Sequence, residues 1–477
     1  MTGKIGEVPL IQNVAMIDDH EVAFFADCHH VGKNLRNHVF TKKVSYVSDD
    51  FVKKYELPTN EVRFEYIEEL LKYDQENELK VSPHLKKVML NLGNFSKMKV
   101  GLAKKVISKQ TKSSIEYLVL RNKMSADALT TAKFIEICAH WLDIVSCKHR
   151  SLAFSKDSPD QYKANMDFLQ EFMVFMSSVK FGPRRKAFHP FQYGALLSTQ
   201  STMWTAKHLL KEVPEPIQFF CPGRCLSDPI ESLHGMIRSI FKNPTCAQYK
   251  KALKAVCVTQ ALKKMPVSGT NCEYDNTEFL ADFKAIKALQ KDSSELEIDC
   301  HYFVDADCEF QDEDFDQAAI LASVASYILR QTVIPKPKCE SCISSFVIGQ
   351  NCEDDQEINC LIKMKEYKKG VFVKPSPLAN RLFQAAEALF ISNRDNYHGR
   401  KDIVNELSER ICEFLPDKVE NLPTCHLGKI VRRFVRFRCF KWGDFMNDKS
   451  REVNAAWIDA ESYCSRTVRS AQAPGLQ

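Results

Sequence analysis

The stretch FFADCHHVGKNLRNHVF at residues 24–40 constrains the fold most, because an apolar run stops at a carboxylate and a helical pattern begins at once. The apolar and aromatic residues that lead to Asp27 predict a short buried strand. Val31, Leu35 and Val39 then recur at the spacing of a helix. We therefore expect a fold with strands and helices, in which Asp27 ends a strand and a basic helix follows.

Helical periodicity dominates the rest of the chain. Between about residue 80 and residue 215, apolar side chains recur on one face of several consecutive segments, which is typical of helices packed into a core. Residues 266–316 are strongly acidic in their second half, and this composition predicts a solvated linker. Helices are predicted again beyond the linker, so the expected fold class is α+β with mostly α structure.

Composition limits the function classes. The chain has 477 residues, enough for two to four domains, and a formal net charge of only +5. A surface that binds DNA would therefore have to come from local basic patches. No run of about 18 apolar residues is present, so no membrane-spanning helix is expected. The 18 cysteines are scattered, and in a reducing compartment most are expected to remain buried thiols.

Two carboxylates are candidates for phosphodiester chemistry. Asp27 is expected at the end of a strand, and Glu231 in the first turn of a helix that Asp228 would cap and Pro229 would open. Mg²⁺ prefers carboxylate oxygens, and two-metal sites hold the attacking and leaving oxygens with a small set of them. Helix capping and surface ion pairs are the alternative reading of both residues.

Two basic segments are candidates for DNA contact. His30, Lys33 and Arg36 could face a phosphate backbone, or they could form an ordinary solvated helix face. The segment VRRFVRFRCFK at residues 431–441 interleaves basic and aromatic side chains, which suits phosphate neutralisation and stacking. An amphipathic helix docked on a core would have the same composition. The residues predicted to contact DNA in this second segment are Arg432, Arg433 and Arg436.

Cys339 and Cys342 form a Cys-x-x-Cys pair with the spacing of half a zinc site. Zinc needs a second pair of ligands, and no downstream group has regular finger spacing. The candidates for the second half are Cys352, Cys360, Cys412, Cys425 and His426.

Taken together and in order, these motifs resemble the P-element-type transposases, including host-domesticated relatives that carry a THAP domain. Residues 24–40 resemble the family's strand ending in Asp, followed by His and a Lys-containing helix. KMKVGLAKKVIS and TAKFIEICAHWLDIVSCK resemble the start and a later helix of its inserted helical domain. LSDPIESLHGMIRS, with NPTCAQYKKAL after it, resembles the block that carries the final catalytic Glu. ASYILRQTVIPKPKCESC resembles the family's C-terminal helix and Cys-x-x-Cys pair more weakly.

The resemblance implies a partial RNase H-like core interrupted by a helical GTP-binding-type insertion, with a helical C-terminal domain after it. The first part of the core is predicted at 1–70, the insertion at 71–215 and the second part of the core at 216–262. A loop and acidic linker follow at 263–317, and the C-terminal helical domain at 318–477.

The resemblance also implies ligands. In the family, three acidic residues hold two Mg²⁺ ions, and by position Asp27 resembles the second and Glu231 the third. GTP serves the insertion as a cofactor for pairing DNA ends. The residues that fall where nucleotide contacts are expected are Lys99, Val100, Ser108, Asp143, Ser146 and Asp228. DNA at transposon ends is the implied partner, in a nuclear protein that could form homo-oligomers.

The family's first catalytic Asp lies on an earlier strand, and its THAP domain lies earlier still. Only 26 residues precede Asp27, so we expect an N-terminally truncated chain with impaired catalysis. The ancestral activity would be metal-dependent DNA cleavage and strand transfer. The alternative is a non-catalytic, domesticated nuclear protein that binds DNA and GTP.

Overall fold

Helices make up most of the computed structural model. It describes residues 8–9, 11–86, 89, 100–182, 187–213, 217–264, 315–335, 339–349, 357–366, 372–397, 402–447 and 449. Lys99 and nearly all of the predicted acidic linker lie outside these ranges. None of the described helices is long and apolar enough to cross a membrane.

The chain opens with a hairpin of β1 (Val14–Ile17) and β2 (His20–Ala23), paired antiparallel from Ile17 opposite His20 to Val14 opposite Ala23. The predicted strand through Asp27 is therefore wrong in extent and in burial. β2 ends at Ala23, it begins with the exposed polar residues His20 and Glu21, and Phe24 after it is 44% exposed. The polar turn before β2 fixes a short hairpin, which places β2 beside β1 at the surface.

Helix α1 (Cys28–Lys42) follows, and a small sheet comes next. The sheet contains β3 (Val44–Tyr46) and β4 (Glu61–Arg63), with α2 (Asp49–Lys54) between them. Helix α3 (Glu65–Glu76) begins two residues after the end of β4.

A block of helices packs beside this sheet. In chain order, its elements are α4 (Val100–Val106), α5 (Lys109–Leu120), α6 (Ala128–Val145), β5 (Phe154–Ser155), α7 (Pro159–Ser178), β6 (Lys180–Phe181), α8 (Pro190–Lys207) and β7 (Phe219–Phe220). Strand β6 completes a three-stranded sheet in the order β4-β3-β6, and β5 pairs with β7. The fully buried Trp141 stacks on Phe172 with 4.9 Å between ring centroids and donates to Thr199 Oγ1 at 2.9 Å. These contacts join α6, α7 and α8 into one core.

A close approach of two backbones marks the end of this block. Gly223 N donates to Cys147 O at 2.8 Å, just beyond the end of α6. A β-carbon on Gly223 would lie 2.4 Å from Ser146 O, so only glycine fits there without displacing the backbone.

Helices α9 (Asp228–Ile240) and α10 (Cys246–Lys264) form a hairpin. Helix α10 begins two residues after Pro244. Thr245 N donates to Gln248 Oε1 at 2.9 Å and Gln248 N donates to Thr245 Oγ1 at 3.4 Å, which is a reciprocal capping box. The hairpin's apolar core contains Leu233, Ile237, Phe241, Tyr249, Ala252, Leu253 and Val256.

Helices again form the C-terminal part. They are α11 (Phe315–Thr332), α12 (Glu340–Phe346), α13 (Cys360–Lys365), α14 (Pro377–Asn393), α15 (Ile403–Lys418) and α16 (427–447). Phe434 of α16 packs on Phe383 of α14, with 5.5 Å between ring centroids.

The C-terminal helices also pack on the N-terminal block. Arg121 Nε donates to Asp316 Oδ1 at 2.5 Å, and Ser113 Oγ donates to Met364 O at 2.7 Å. Lys365 Nζ donates to Val81 O at 3.0 Å. Residues far apart in sequence therefore share one core.

By its contacts the chain divides into two units. One contains Met1–Arg224 together with Tyr302–Gln477, and the other contains Cys225–His301. The domain boundaries predicted from the resemblance are not tested by this division and stay predictions.

Candidate functional sites

Asp27 lies at the N-cap of α1. Its Oδ1 accepts hydrogen bonds from His29 N at 2.8 Å and His30 N at 3.2 Å, which satisfies two backbone donors of the first turn. The side chain is half-buried. The capping role given above as the alternative for Asp27 is therefore present in the structure.

Glu231 lies in the first turn of α9, where its side chain is exposed. Ser227 Oγ donates to Glu231 Oε1 at 3.0 Å, and Ser227, not Asp228, is the N-cap. Asp228 is the first helical residue, because the helix begins one residue earlier than predicted. Glu231 therefore also bonds to the N-terminal turn of its own helix.

Mg²⁺ binding stays a prediction for both carboxylates. Within the described residues of its own unit, neither Asp27 nor Glu231 belongs to a group of three or more metal-ligating side chains.

Three residues with predicted nucleotide roles, Ser108, Asp143 and Ser146, lie where lysines of α4 and α5 reach the end of α6. Val100 begins α4, and Ser108 caps α5 by accepting from Thr111 N at 3.2 Å. Asp143 and Ser146 lie at the end of α6. The structure thus brings Ser108, Asp143 and Ser146 into one neighbourhood, which we call the α4–α6 site.

Two lysines complete this neighbourhood. Lys109 Nζ lies 3.0 Å from Asp143 Oδ2, and Lys104 Nζ donates to Ser146 Oγ at 3.4 Å. Asp143 keeps 57% of its side chain exposed, so the carboxylate can reach a ligand. Sequence reasoning missed both lysines, since only folding brings them to the end of α6. The basic segment KMKVGLAKKVISK, which holds both lysines, was the signal that the sequence carried for them.

Two histidines border the α4–α6 site in their neutral form. His84 Nε2 lies 2.9 Å from Thr111 Oγ1 and 3.4 Å from Ser108 Oγ. Burial, with Lys365 and Lys105 nearby, lowers the pKa of His84 to about 4. Burial also lowers the pKa of His140, whose Nδ1 lies 3.5 Å from Lys109 Nζ. Positive charge in the site is therefore carried by lysines.

The remaining predicted nucleotide contacts are not tested. Lys99 lies outside the described residues. Asp228 belongs to the separate unit that contains α9.

The N-terminal end of α1 lies beside the end of α6. Cys28 Sγ donates to Val145 O at 3.8 Å, and a β-carbon on Gly32 would contact the Leu142 side chain at 3.2 Å. The helix that Asp27 caps therefore packs next to the α4–α6 site.

The first basic segment does not form one surface. His30 is exposed and Lys33 is half-buried, but Arg36 is fully buried. The expectation that Arg36 faces solvent is wrong, because Arg36 lies on the same helical stripe as Leu35 and Gly32. Burial lowers the pKa of Arg36. Only His30 and Lys33 could reach a phosphate from this conformation.

The second basic segment has two faces. Phe434, Val435 and other apolar residues of α16 are buried, while the predicted DNA-contacting arginines are exposed. The exposed side borders an open cleft of about 490 Å³. Arg433 Nη1 donates to Gln331 O at 2.7 Å across this cleft. The cleft is lined by Gln331, Thr332, Pro335, His426, Lys429, Arg432, Arg433 and Arg436.

The Cys-x-x-Cys pair lies against Cys425 and His426. Cys425 Sγ lies 3.5 Å from Cys339 Sγ and 3.0 Å from Cys342 Sγ. His426 Nδ1 lies 3.4 Å from Cys342 Sγ. Burial, together with the neighbouring thiols, raises the pKa of Cys342. Of the five candidates for the second half, the structure selects Cys425 and His426, whereas Cys360 and Cys412 lie outside the group and Cys352 is not described.

Comparisons with known proteins agree with the resemblance. Residues 29–157 match the family model described as the TNP-like, GTP-binding insertion domain. The Transposable element P transposase of Drosophila melanogaster is 22% identical over 409 residues, which cover 83% of this chain and 49% of that protein. A chain of the solved Drosophila P element transposase strand transfer complex aligns with a TM-score of 0.43 and 23% identity, covering 52% of this chain and 55% of that one.

The chain spans about half the length of the curated relative that it matches. Its recognition as a relative of the P-element-type transposases is confirmed by the insertion-domain match and by that relative.

Proposed function

We propose that this chain, a relative of the P-element-type transposases, is transposase-derived and binds GTP at the α4–α6 site. The observation that carries the proposal is the match of residues 29–157 to a GTP-binding insertion domain. Ser108, Asp143 and Ser146, three of the residues predicted to contact nucleotide within that range, also lie close together, which supports the assignment.

The chemistry of the α4–α6 site suits a guanine nucleotide. The exposed Asp143 carboxylate can accept two hydrogen bonds, and the guanine edge offers an N1–H and an N2–H donor in the matching arrangement. Lys104 and Lys109 supply positive charge for phosphate oxygens. An adenine edge lacks this pair of donors, so ATP should bind more weakly.

Nucleotide titration tests the proposal. The purified chain should bind fluorescent GTP, and unlabelled GTP should compete better than ATP. Asp143→Ala should weaken GTP binding by at least about tenfold, because removing one charged hydrogen bond costs about 1.5–3 kcal/mol. Glu116→Ala is the matched control, since Glu116 also pairs with a lysine, Lys112 at 2.8 Å, on α5.

An unchanged affinity in Asp143→Ala would reject this site. An equal decrease in Asp143→Ala and Glu116→Ala would point to a general loss of structure rather than to a direct role of Asp143 in binding GTP.

The ancestral reaction proposed for the chain is Mg²⁺-dependent DNA cleavage and strand transfer in the nucleus. Asp27 and Glu231 are the residues to which the resemblance assigns Mg²⁺ binding, and DNA at transposon ends would be the substrate. The test incubates the chain with transposon-end DNA in Mg²⁺ or Mn²⁺. Cleavage that Glu231→Ala abolishes would support this reaction.

A non-catalytic protein that binds DNA and GTP is the second candidate. It is favoured by the hydrogen bonds that Asp27 and Glu231 make within their own helix ends. DNA and GTP binding without cleavage in either metal would support it.

A further inference from the structure

We propose that Cys339, Cys342, Cys425 and His426 bind one Zn²⁺ ion, which fixes the start of the basic helix α16. Nothing in this proposal depends on GTP binding or on DNA cleavage.

The geometry of the four ligand atoms fits a tetrahedral ion. All four lie within 4.8 Å of one another, and the three close pairs are 3.0, 3.4 and 3.5 Å apart. Around a tetrahedral Zn²⁺ with Zn–S bonds of about 2.3 Å, neighbouring sulfurs are about 3.8 Å apart. Shifts of less than about 1 Å in these side chains would therefore seat the ion.

The ligand types select the metal. Three thiolates and an imidazole are a common structural zinc set, whereas Mg²⁺ and Ca²⁺ prefer oxygen ligands. Four protein ligands fill the tetrahedron and leave no open position for a substrate. The ion would accordingly have a structural role.

A disulfide is the competing explanation of the short Sγ–Sγ distances. Cys342 and Cys425 are the closest pair, at 3.0 Å, and a bond between them would use only two of the four ligands. A disulfide would not explain why the ligand atoms of Cys339 and His426 also lie in the same group. One ion accounts for all four side chains at once.

The position of the cluster gives the ion its effect. It joins the start of α12 to the two residues before α16, across a sequence separation of 86 residues between Cys339 and Cys425. Linking such distant segments stabilises the fold by closing a long loop. His426 also lines the basic cleft with Arg432 and Arg433, so the ion would fix the part of that cleft formed by the first turn of α16.

Metal analysis of the full chain, purified under reducing conditions without chelator, tests the proposal. We expect about one zinc per chain by elemental analysis, as one filled site of four ligands requires. Replacement with Co²⁺ should give the visible absorption bands of a tetrahedral site with thiolate ligands.

Variants assign the zinc to this cluster. Cys425→Ser, at an exposed position, should lower zinc affinity by at least about tenfold. His426→Cys keeps four ligands and should retain the ion. Cys412→Ser is the matched control, because Cys412 lies outside the group and should leave the zinc content unchanged.

Two results would overturn the proposal. One is a folded chain with no zinc and no Co²⁺ bands after metal is supplied. The other is mass-spectrometric detection of a Cys342–Cys425 disulfide in the folded, freshly purified chain. Because neither result involves nucleotide or DNA, failure here would leave the proposed function untouched.

Discussion

His84 couples protonation to the stability of the α4–α6 site. Its folded-state pKa of about 4 lies below the value of about 6.5 in an unfolded chain, so the unfolded state binds more protons between those values. Stability is therefore fully present above about pH 6.5 and falls as pH drops towards about 4, by about 2–3 kcal/mol from this residue. Urea unfolding across this range measures the slope.

Replacing His84 separates its contribution to the pH dependence of stability from that of other titratable groups. His84→Gln keeps a hydrogen-bonding side chain but cannot titrate, so the acid-side slope should become shallower. His30→Gln, at an exposed position on α1, is the comparison variant. Equal slopes in wild type and His84→Gln would contradict the assignment.

Gly223 is restricted by space rather than by its backbone angles. In Gly223→Ala the new methyl group would collide with the carbonyl of Ser146, 2.4 Å away, and neither backbone can move without breaking packing. We expect a loss of about 1–3 kcal/mol in the free energy of unfolding, measured by urea denaturation.

Gly101→Ala is the control for that substitution. Nothing lies within 4 Å of its β-carbon position, and it is in a helix, so alanine there should be neutral or slightly stabilising. A Gly223→Ala chain as stable as Gly101→Ala would refute the steric argument.

Sequence reasoning at the residue scale succeeded and failed for physical reasons. Ser108 and Asp143 were named together because the resemblance supplied a spatial frame, and their nucleotide role stays a prediction. Lys109 could not be named, since its ion pair with Asp143 joins two helices. Arg36 was misjudged although the pattern held the answer: it lies on the buried stripe shared by Cys28, Val31, Gly32, Leu35 and Val39.

At the scale of elements, helix α16 presents a packed face and a charged face. If the charged face binds DNA phosphates, replacing Arg432, Arg433 and Arg436 with Ala should weaken DNA binding and lower its salt dependence. The slope of log affinity against log salt should fall by about one for each phosphate that an arginine no longer neutralises. Fluorescence anisotropy over a salt series measures both quantities.

A matched exposed arginine tests whether the effect is specific to the charged face of α16 or follows from any loss of positive charge. Arg410 is exposed on α15 and pairs with Glu413 at 3.0 Å. Arg410→Ala should leave the salt slope unchanged. If Arg410→Ala changes the DNA affinity and the salt slope as much as the Arg432, Arg433 and Arg436 substitutions do, α16 is not the DNA-binding element.

Helix ends were easier to predict than strands. The start of α9 was predicted to within one residue from Pro229, and Thr245 with Gln248 forms a local capping box at the start of α10. The strand before Asp27 depended on which partner it would find, and apolar residues alone do not specify that. The RNase H-like core accordingly stays a prediction, whereas the helical character of most of the chain is confirmed.

At the scale of the whole molecule, a buried charge network connects distant segments. Arg438 of α16 donates to Glu387 Oε2 at 2.6 Å and to Glu78 Oε2 at 3.0 Å, and Arg394 donates to Glu78 Oε1 at 2.6 Å. Glu387→Ala would leave the positive charge of Arg438 buried without one of its two carboxylate partners. We expect a loss of about 3–5 kcal/mol in the free energy of unfolding, measured by urea denaturation.

The exposed ion pair between Arg410 and Glu413 is the control for this buried network. Glu413→Ala removes an exposed partner of Arg410 and should cost less than about 1 kcal/mol. Similar losses for Glu387→Ala and Glu413→Ala would show that the buried network does not stabilise the fold as argued. No sequence rule pairs residue 78 with residue 438, so this network was beyond prediction.

One unit of the chain is assembled from two stretches that are separated by Cys225–His301. During synthesis the first stretch leaves the ribosome well before the partners of Arg121, Ser113 and Val81 have been translated. Until residues 316, 364 and 365 have been translated, the apolar faces of its helices remain exposed to solvent. Folding of this unit is therefore completed late in translation, and interrupted synthesis yields fragments that expose surface prone to aggregation.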